Sequence, residues 1–190
     1  MRIVLASGSP RRRELMEMLG VKDLLVLPAR GEENADLGLP PAELVCSLAA
    51  AKAHEVAARC APDDVVIAAD TIVYYQSRVF GKPRSPAEAA EMLRTLSGQT
   101  HEVFTGVCVL RLGRELLRAD RSAVRFRPLS EEEIAAYIAT GEPLDKAGAY
   151  GAQGKGALFV ERIEGDFFNV MGLPLCMLGE MLKEQGVGLL

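Results

Sequence analysis

The positions of apolar residues follow two periods along the chain, and their alternation predicts a mixed α/β fold. Short apolar runs bounded by turn residues predict buried strands, whereas apolar residues three and four apart predict helices with one buried face. The predicted strands lie at 2–6, 24–27, 65–69, as a pair at about 71–80, and at 101–112, 115–127 and 157–163. The predicted helices lie at 10–19, 41–60, 86–96, from Ser130 onwards and at 174–185. Because hairpin signals and crossover helices both occur, we expect a twisted mixed sheet with flanking helices.

Two helix starts and one connection carry more specific signals. Ser9 followed by Pro10 is typical of an N-cap and the first residue of a helix. Ser130 with Glu133 three residues later predicts a capping box. The polar, Gly-rich segment at 141–156 is long for a connection without structure, so we expect a functional loop there.

Length and composition indicate an ordinary globular domain and exclude several classes of protein. The 190 residues are 49% hydrophobic and 25% charged, and 22 basic against 26 acidic residues give a net charge of −4. This balance argues against a general nucleic-acid or anionic-membrane binder, since either requires a basic face. We find neither a signal peptide nor an apolar run long enough to span a membrane, so we expect a cytoplasmic protein.

The cysteines and histidines offer no metal-binding pattern. The four cysteines are widely spaced, and we expect reduced, mostly buried side chains; they are Cys46, Cys60, Cys108 and Cys176. His54 and His101 have no obvious partner in the sequence and are expected to be structural.

Three consecutive arginines stand out in a chain of net negative charge; they are Arg11, Arg12 and Arg13. They fall in the first turn of a predicted helix, where positive side chains oppose the helix dipole. The same position suits an anion, because free backbone N–H groups and guanidinium groups both bind phosphate oxygens. The preceding Ser7-Gly8-Ser9 adds hydroxyls and a glycine that allows close approach of a ligand. A phosphate site and a solvated surface turn both remain open on these residues alone.

Two acidic positions are candidates for chemistry. Asp70 follows the apolar run 65–69, so we expect it at the carboxyl end of a buried strand, where open α/β sheets bind ligands. The alternative is an aspartate that starts a turn. Glu32-Glu33 lies in a predicted loop at 28–40, and paired exposed acids are usually solvated. An acid from that loop that met Asp70 would make an oxygen-only pair for Mg²⁺ or Mn²⁺, with phosphates completing the shell.

Lys52 is a cation at an unexpected position. It shares the apolar face of the predicted helix with Val45, Ala49 and Val56. A lysine there either snorkels to solvent or pairs with an anionic group inside the fold.

Two further segments could contribute to the same chemistry. Lys82 lies between Gly81 and Pro83 and is either a ligand-binding or a solvated lysine. The glycines of 141–154 suggest tight turns or close backbone approach to a ligand, and a charged loop with a packed Tyr150 is the alternative. Together, these residues predict a metal-assisted site for a polyphosphate ligand.

A series of short motifs extends over nearly the whole chain and resembles the Maf family of nucleoside triphosphate pyrophosphatases. The motifs, in order, are Leu5-Ala6-Ser7-Gly8-Ser9-Pro10-Arg11-Arg12, Glu32-Glu33, Lys52-Ala53, Ala69-Asp70-Thr71, Gly81-Lys82-Pro83, Leu96-Ser97-Gly98, Gly141-Glu142-Pro143, Asp145-Lys146-Ala147-Gly148-Ala149-Tyr150-Gly151 with Gln153-Gly154, and Gly172-Leu173-Pro174-Leu175. The resemblance implies a single Maf-like domain over 1–190. It also implies two lobes around a central cleft, related to the inosine triphosphate pyrophosphatase fold.

The resemblance further implies a reaction and a substrate class. The reaction is hydrolysis of a nucleoside triphosphate to the monophosphate and pyrophosphate with a divalent cation, Mg²⁺, Mn²⁺ or Co²⁺. Arg11, Thr71 and Gln153 match the branch that acts on dTTP, UTP and modified pyrimidine triphosphates. A glutamine amide offers one donor and one acceptor, which suits the O4 and N3–H edge of thymine or uracil.

The implied roles of the remaining site residues follow from the same resemblance. Ser7, Arg11, Arg12, Thr71 and Gln153 would bind substrate; Lys52 and Lys82 would neutralise charge; and Glu33 and Asp70 would bind the metal, Asp70 also accepting a proton. The family suggests a homodimer that clears unwanted nucleotides. We expect no nucleic-acid or membrane partner, because the net charge is −4 and the chain has a single basic cluster. The alternative function is a nucleotide-binding regulator of septum formation with little turnover.

Overall fold

The computed structural model describes residues 1–21, 23–31 and 35–190. Within these ranges the strands are β1 (Ile3–Leu5), β2 (Leu25–Val26), β3 (Val65–Tyr75), β4 (Arg78–Phe80), β5 (Thr100–Arg111), β6 (Arg114–Phe126) and β7 (Val160–Glu164). The helices are α1 (Pro10–Met18), α2 (Pro41–Ala57), α3 (Pro86–Leu96), α4 (Glu131–Ile138), α5 (Phe167–Met171) and α6 (Leu175–Glu184).

The strands form one mixed sheet, as the sequence predicts. Its order is β2-β1-β3-β5-β6-β7, with β4 paired to β3 away from this path. β1 pairs in parallel with β2 and with β3, and Leu5 lies opposite Ile67. β4 pairs antiparallel with β3, and β7 pairs antiparallel with β6.

The chain divides into two compact units, in agreement with the two lobes that the resemblance implies. The first unit comprises Met1–Asp70, Thr105–Asp120 and Gly172–Leu190. The second unit comprises Thr71–Phe104 and Arg121–Met171. The boundary between Asp70 and Thr71 falls inside β3.

One core cluster of the first unit is built mostly from small residues that let α2 approach the sheet closely. Its buried side chains are Val4, Ala6, Ala49, Ala53, Val56, Val66, Ala68, Cys108 and Leu110. Gly106 on β5 is part of the same arrangement, because a Cβ there would lie 2.4 Å from the Val45 carbonyl carbon. The alanines and Gly106 therefore allow α2 to lie close to the sheet.

A core cluster of the second unit is rich in aromatic rings. α3 contributes Ala89, Met92, Leu93 and Leu96, the face that the sequence predicts. Phe126 contacts Tyr150 edge to face, with ring centroids 4.7 Å apart. The predicted capping box is confirmed: the Ser130 hydroxyl accepts from Glu133 N, and the Glu133 carboxylate accepts from Ser130 N.

Three local predictions are corrected by the structure, and one short helix was not predicted. Ser9 occupies the N-cap position of α1, but its side chain makes no capping hydrogen bond. The helix predicted at 41–60 ends at Ala57. The segment predicted as a loop at 141–156 contains short 3₁₀ turns, and the five-residue α5 was not predicted. α5 is too short to show a helical period in the sequence.

None of the helices in the described ranges is long and apolar enough to cross a membrane.

Candidate functional site

The loop after β1 brings Ser7 and Arg12 together in the first unit. Ser7 is 8% exposed, and its Oγ accepts hydrogen bonds from Arg12 Nη1 at 3.1 Å and from Ser9 N at 3.3 Å. Arg12 Nε also donates to the carbonyl of Gly172 at 2.8 Å. The Arg12 guanidinium is thus oriented beside the N-terminus of α1, where the helix dipole favours an anion.

The three arginines differ in their surroundings. Arg11 and Arg12 are half-buried, whereas Arg13 is exposed. Arg13 Nε lies 2.8 Å from Glu17 Oε1, an ion pair along the surface of α1. Arg13 is therefore a solvated surface residue, whereas the Arg12 guanidinium is held by hydrogen bonds to Ser7 and Gly172.

Lys52 and Asp70 form an ion pair in the first unit. Lys52 Nζ lies 2.5 Å from Asp70 Oδ1, and the side chains are only 17% and 11% exposed. The helical period of α2 places Lys52 one turn after the buried Leu48 and Ala49. The prediction that Lys52 pairs with an anionic group inside the fold is confirmed.

Asp70 lies within β3 rather than at its carboxyl end, because β3 continues to Tyr75. Both interpretations from the sequence, strand end and turn start, are therefore wrong. The apolar run ends at Asp70, but the strand does not. Because side chains alternate along a strand, Asp70 shares a face with the buried Val66 and Ala68, against which α2 packs. This placement explains how a helical lysine reaches Asp70.

The predicted metal ligands can be compared with the structure only in part. Glu33 lies outside the described residues. Asp70 offers carboxylate oxygens, the donor type that hard divalent cations prefer. Among the described residues, no group of three histidine, cysteine or acidic side chains is placed to hold a metal ion.

The second unit holds Thr71, Lys82 and Gln153. Thr71 is half-buried on β3, and Lys82 and Gln153 are exposed. The turn that carries Lys82 is tied to the Gly-rich segment, because Gly148 N donates to the carbonyl of Gly81 at 3.1 Å. Gly148 has φ of +67°, and a Cβ there would lie 2.7 Å from Val73 Cγ2, so a glycine is required.

Glu142 and Tyr137 organise the Gly-rich segment, and neither was among the site residues predicted from the sequence. Glu142 Oε1 accepts from the Tyr137 hydroxyl at 2.9 Å, and its Oε2 accepts from Lys155 N at 3.0 Å. The Tyr137 oxygen in turn accepts from Gly151 N at 3.1 Å. The signal that could have found Glu142 is its place in the Gly141-Glu142-Pro143 motif, just before the Gly-rich segment.

The two histidines have opposite environments. His101 is 1% exposed; its Nε2 lies 2.8 Å from the Tyr150 hydroxyl, and its Nδ1 is buried with no hydrogen-bond partner among the described residues. Burial lowers the pKa of His101 to about 3. His54 is exposed, and its Nε2 lies 2.6 Å from Glu115 Oε2. Tyr150 is buried in the core, as the alternative interpretation of the Gly-rich segment predicts.

The cysteines are all free thiols, but the expectation that most are buried is wrong. Cys108 is buried, Cys46 and Cys60 are half-buried, and Cys176 is exposed. Burial raises the pKa of Cys108 to about 12, and Glu115 adds to this effect. Cys108 is therefore a protonated, unreactive thiol at neutral pH.

Comparison with solved structures confirms the predicted fold class. The Ham1 protein of Staphylococcus aureus superposes with a TM-score of 0.53 at 15% identity, covering 97% of this chain and 100% of its own. The HAM1 protein of Coxiella burnetii gives a TM-score of 0.53 at 16% identity, covering 97% and 99%. At these identities the likeness concerns the fold alone.

Comparison by sequence gives much closer relatives. A protein from Moorella thermoacetica named dTTP/UTP pyrophosphatase is 54% identical over 188 residues, covering 98% of this chain and 96% of its own. A protein of the same name from Bacillus cereus is 50% identical over 183 residues, covering 96% and 89%. The family model described as Maf-like protein matches residues 2–185. The resemblance found in the sequence motifs is confirmed, and the chain belongs to the family of Maf-like proteins.

Proposed function

We propose that the protein is a nucleoside triphosphate pyrophosphatase that hydrolyses dTTP and UTP, and modified pyrimidine triphosphates, to the monophosphate and pyrophosphate. The relatives that share about half of its residues carry the name dTTP/UTP pyrophosphatase. Its role in the cell is then the removal of unwanted nucleotides from the pool. The structural observation that carries the proposal is the ion pair of Lys52 and Asp70.

The first unit supplies charges suited to a triphosphate. Arg12 is oriented by Ser7 and Gly172 at the start of α1, and Arg11 lies in the same helical turn. Guanidinium groups bind phosphate oxygens in a two-point geometry, and backbone N–H groups at a helix start add to this binding. Arg11, Arg12 and Ser7 therefore bind phosphate groups in our proposal.

Lys52 and Asp70 have distinct tasks. Lys52 is held by the packing of α2, so its ammonium group is fixed where it orients the Asp70 carboxylate and neutralises charge in the transition state. Asp70 accepts a proton from the water that attacks the α-phosphorus. The new bond joins the water oxygen to that phosphorus, the bond to the bridging oxygen of the β-phosphate breaks, and pyrophosphate leaves.

A divalent cation, Mg²⁺, Mn²⁺ or Co²⁺, fits the oxygen donors of Asp70, with Glu33 as the second proposed ligand. When bound, the cation supplies charge stabilisation at the phosphate oxygens. Removing divalent cations with a chelator should abolish pyrophosphate release, and adding each metal separately should identify which of them restores it.

The second unit contributes Lys82, Thr71 and Gln153. Lys82 neutralises phosphate charge, and Thr71 and Gln153 contact the nucleotide. The Gln153 amide matches the O4 and N3–H edge shared by thymine and uracil. Cytosine presents the reverse pattern, a donor at N4 and an acceptor at N3, so CTP should be a poor substrate when the Gln153 amide is held in the orientation that suits uracil.

The decisive experiment compares Asp70→Asn with the wild type. Pyrophosphate release from dTTP and UTP is followed by coupling to an inorganic pyrophosphatase and detecting phosphate. Loss of the proton acceptor should reduce kcat by roughly 10²–10⁴-fold. Asp63→Asn is the matched control, because Asp63 is a 55% exposed aspartate of the same unit that pairs with the N-terminus.

Equal turnover of dTTP by Asp70→Asn and the wild type would contradict the proposed role of Asp70. Tight binding of dTTP by a wild type that releases no pyrophosphate would instead favour the regulator of septum formation. We also propose a cytoplasmic homodimer that binds neither nucleic acid nor membrane, and light scattering after gel filtration would test the dimer.

A further inference from the structure

We propose that Glu142 and Tyr137 are positioning residues that hold the turn carrying Gln153 and thereby set the discrimination between uracil and cytosine. The proposal rests on the proposed function, because it assigns to these residues a part in base recognition. All of the contacts that carry it lie within the second unit.

Glu142 places its carboxylate against the backbone of the Gly-rich segment. Oε2 accepts from Lys155 N at 3.0 Å, and Oε1 accepts from Gly156 N at 3.3 Å and from the Tyr137 hydroxyl at 2.9 Å. Partial burial works against ionisation, but these three donors outweigh it and hold the pKa of Glu142 below its ordinary value. Glu142 is therefore an acceptor at both oxygens at neutral pH.

Tyr137 extends the same arrangement to the other side of Gln153. Its side chain is 4% exposed, and its oxygen accepts from Gly151 N at 3.1 Å. Because the Tyr137 hydroxyl donates its proton to Glu142, this hydroxyl links the Glu142 carboxylate to Gly151 N. The backbone is thus held on both sides of Gln153, at Gly151 before it and at Lys155 after it.

The glycines of this segment fit closely around Glu142 and Tyr137. A Cβ on Gly154 would lie 2.2 Å from Glu142 Oε1, and one on Gly156 would lie 2.7 Å from the Tyr137 hydroxyl. Gly154 N also donates to the carbonyl of Gly151 at 3.2 Å, which closes the turn. Gln153 projects from a turn that the two side chains shape directly.

The placement of the Gln153 side chain and the stability of the second unit can therefore be measured separately. The Gln153 side chain is exposed, so it adds little packing, and its usefulness as a hydrogen-bonding group depends on where the turn holds it. A carboxylate is required at position 142, because a glutamine amide would direct a donor at one of the backbone or hydroxyl donors.

The first test measures kcat/KM for UTP and CTP in the wild type, Glu142→Gln and Tyr137→Phe. We expect the UTP-to-CTP ratio to fall roughly tenfold in Glu142→Gln, the effect of misplacing one hydrogen-bonding group. Tyr137→Phe should lower it less, because it removes the hydrogen bonds to Gly151 N and Glu142 Oε1 but leaves the Glu142 carboxylate bound to Lys155 N and Gly156 N. The matched controls are Glu161→Gln, an exposed ion-paired glutamate, and Tyr75→Phe, a half-buried hydrogen-bonded tyrosine; both should keep the wild-type ratio.

A double-mutant cycle tests whether Glu142 acts through Gln153. In a Gln153→Ala background, Glu142→Gln should leave the UTP-to-CTP ratio unchanged, because residues that act through one group are not additive. An additional fall in the double variant, or an equal loss for UTP and CTP in the single variant, would overturn the proposal and leave a purely structural role.

Amide hydrogen exchange provides a readout without turnover. The amides of Lys155 and Gly156 should exchange at least tenfold faster in Glu142→Gln, and that of Gly151 faster in Tyr137→Phe; unchanged exchange would overturn the proposal. A wild type that hydrolyses neither UTP nor dTTP would refute the proposed function separately. The ratio would then be measured as calorimetric binding of UTP against CTP, with the same fall expected and an unchanged ratio counting against positioning.

Discussion

The two units hold their candidate site residues in different ways. In the first unit, one charged side chain holds another: Lys52 on α2 meets Asp70 on β3 across a core of alanines and valines. In the second unit, a carboxylate and a phenol hold backbone N–H groups, and glycines leave the space for them. The first arrangement depends on two opposite charges. The second depends on glycines that leave room for the Glu142 and Tyr137 side chains.

This difference decides which substitutions should be severe. A charge pair with little solvent contact is sensitive to removal of either partner, since the other is left uncompensated. A glycine-shaped turn is sensitive to the addition of a methyl group, because a Cβ would enter space that neighbouring atoms already fill. Four experiments test how side chains of the two units contribute to stability.

The largest effect is expected from breaking the charge pair with Lys52→Met. The remaining carboxylate is nearly buried, so the free energy of unfolding should fall by about 3–5 kcal/mol, and activity should fall with it. The double variant Lys52→Met with Asp70→Asn should regain most of the stability but none of the activity. Urea unfolding measures the first quantity and pyrophosphate release the second; a double variant as unstable as the single one would show that charge is not the cause.

The next effect is expected at Gly148 in the second unit. Gly148→Ala adds the strain of φ +67° to a contact of 2.7 Å with Val73, a total of roughly 2–5 kcal/mol. Gly141→Ala is the control, because its φ is +74° but no atom lies within 4 Å, so it should cost only about 1–2 kcal/mol. Equal losses in thermal or urea unfolding would mean that backbone strain alone, and not the fit, explains Gly148.

A pH titration tests the buried histidine of the second unit. The pKa of His101 is lowered to about 3, so the unfolded chain takes up a proton near pH 6.5 that the folded chain does not. Stability should therefore be complete above pH 6.5 and fall by about 1.4 kcal/mol for each pH unit below it, or about 2 kcal/mol by pH 5.

His101→Gln should remove this slope, because it removes the imidazole that burial keeps uncharged in the folded chain. The measurement is urea unfolding between pH 5 and 7.5. If His101→Gln retains the wild-type slope over that range, another group is responsible for it.

The smallest effect compares two serines at helix starts. Ser130→Ala removes a hydrogen bond to Glu133 N and should cost about 1 kcal/mol, a shift in Tm of roughly 2–4 °C. Ser9→Ala should change the Tm by less than half as much, because the Ser9 side chain makes no capping bond. Equal shifts in a thermal melt would indicate that Ser9 caps α1 in solution.

The same contrast explains what the sequence could predict. Lys52 was recognisable because a lysine interrupts a helical apolar face, and a periodic pattern records which side of a helix is buried. The buried face of α3 and the capping box of α4 follow from local patterns of the same kind.

Asp70 and Glu142 show why the rest could not be predicted. Asp70 ends an apolar run but not a strand, since a buried strand accepts a charged residue wherever tertiary packing supplies a partner. Glu142 binds backbone groups 13 and 14 residues further along, and hydrogen bonds to a backbone N–H leave no preferred residue type behind. Glu33, the second proposed metal ligand, lies outside the described residues and stays a prediction.

The arrangement of the units along the chain has a consequence for biosynthesis. The second unit is complete once Met171 has been synthesised, whereas the first unit still lacks Gly172–Leu190. Those residues supply the carbonyl that orients Arg12 and the fully buried Leu178, Met181 and Leu182. During translation the unit with Gln153 can therefore form first. The unit with Lys52 and Asp70 reaches its final form only when the last helix leaves the ribosome, so premature termination after residue 171 should yield a product with an incompletely folded first unit.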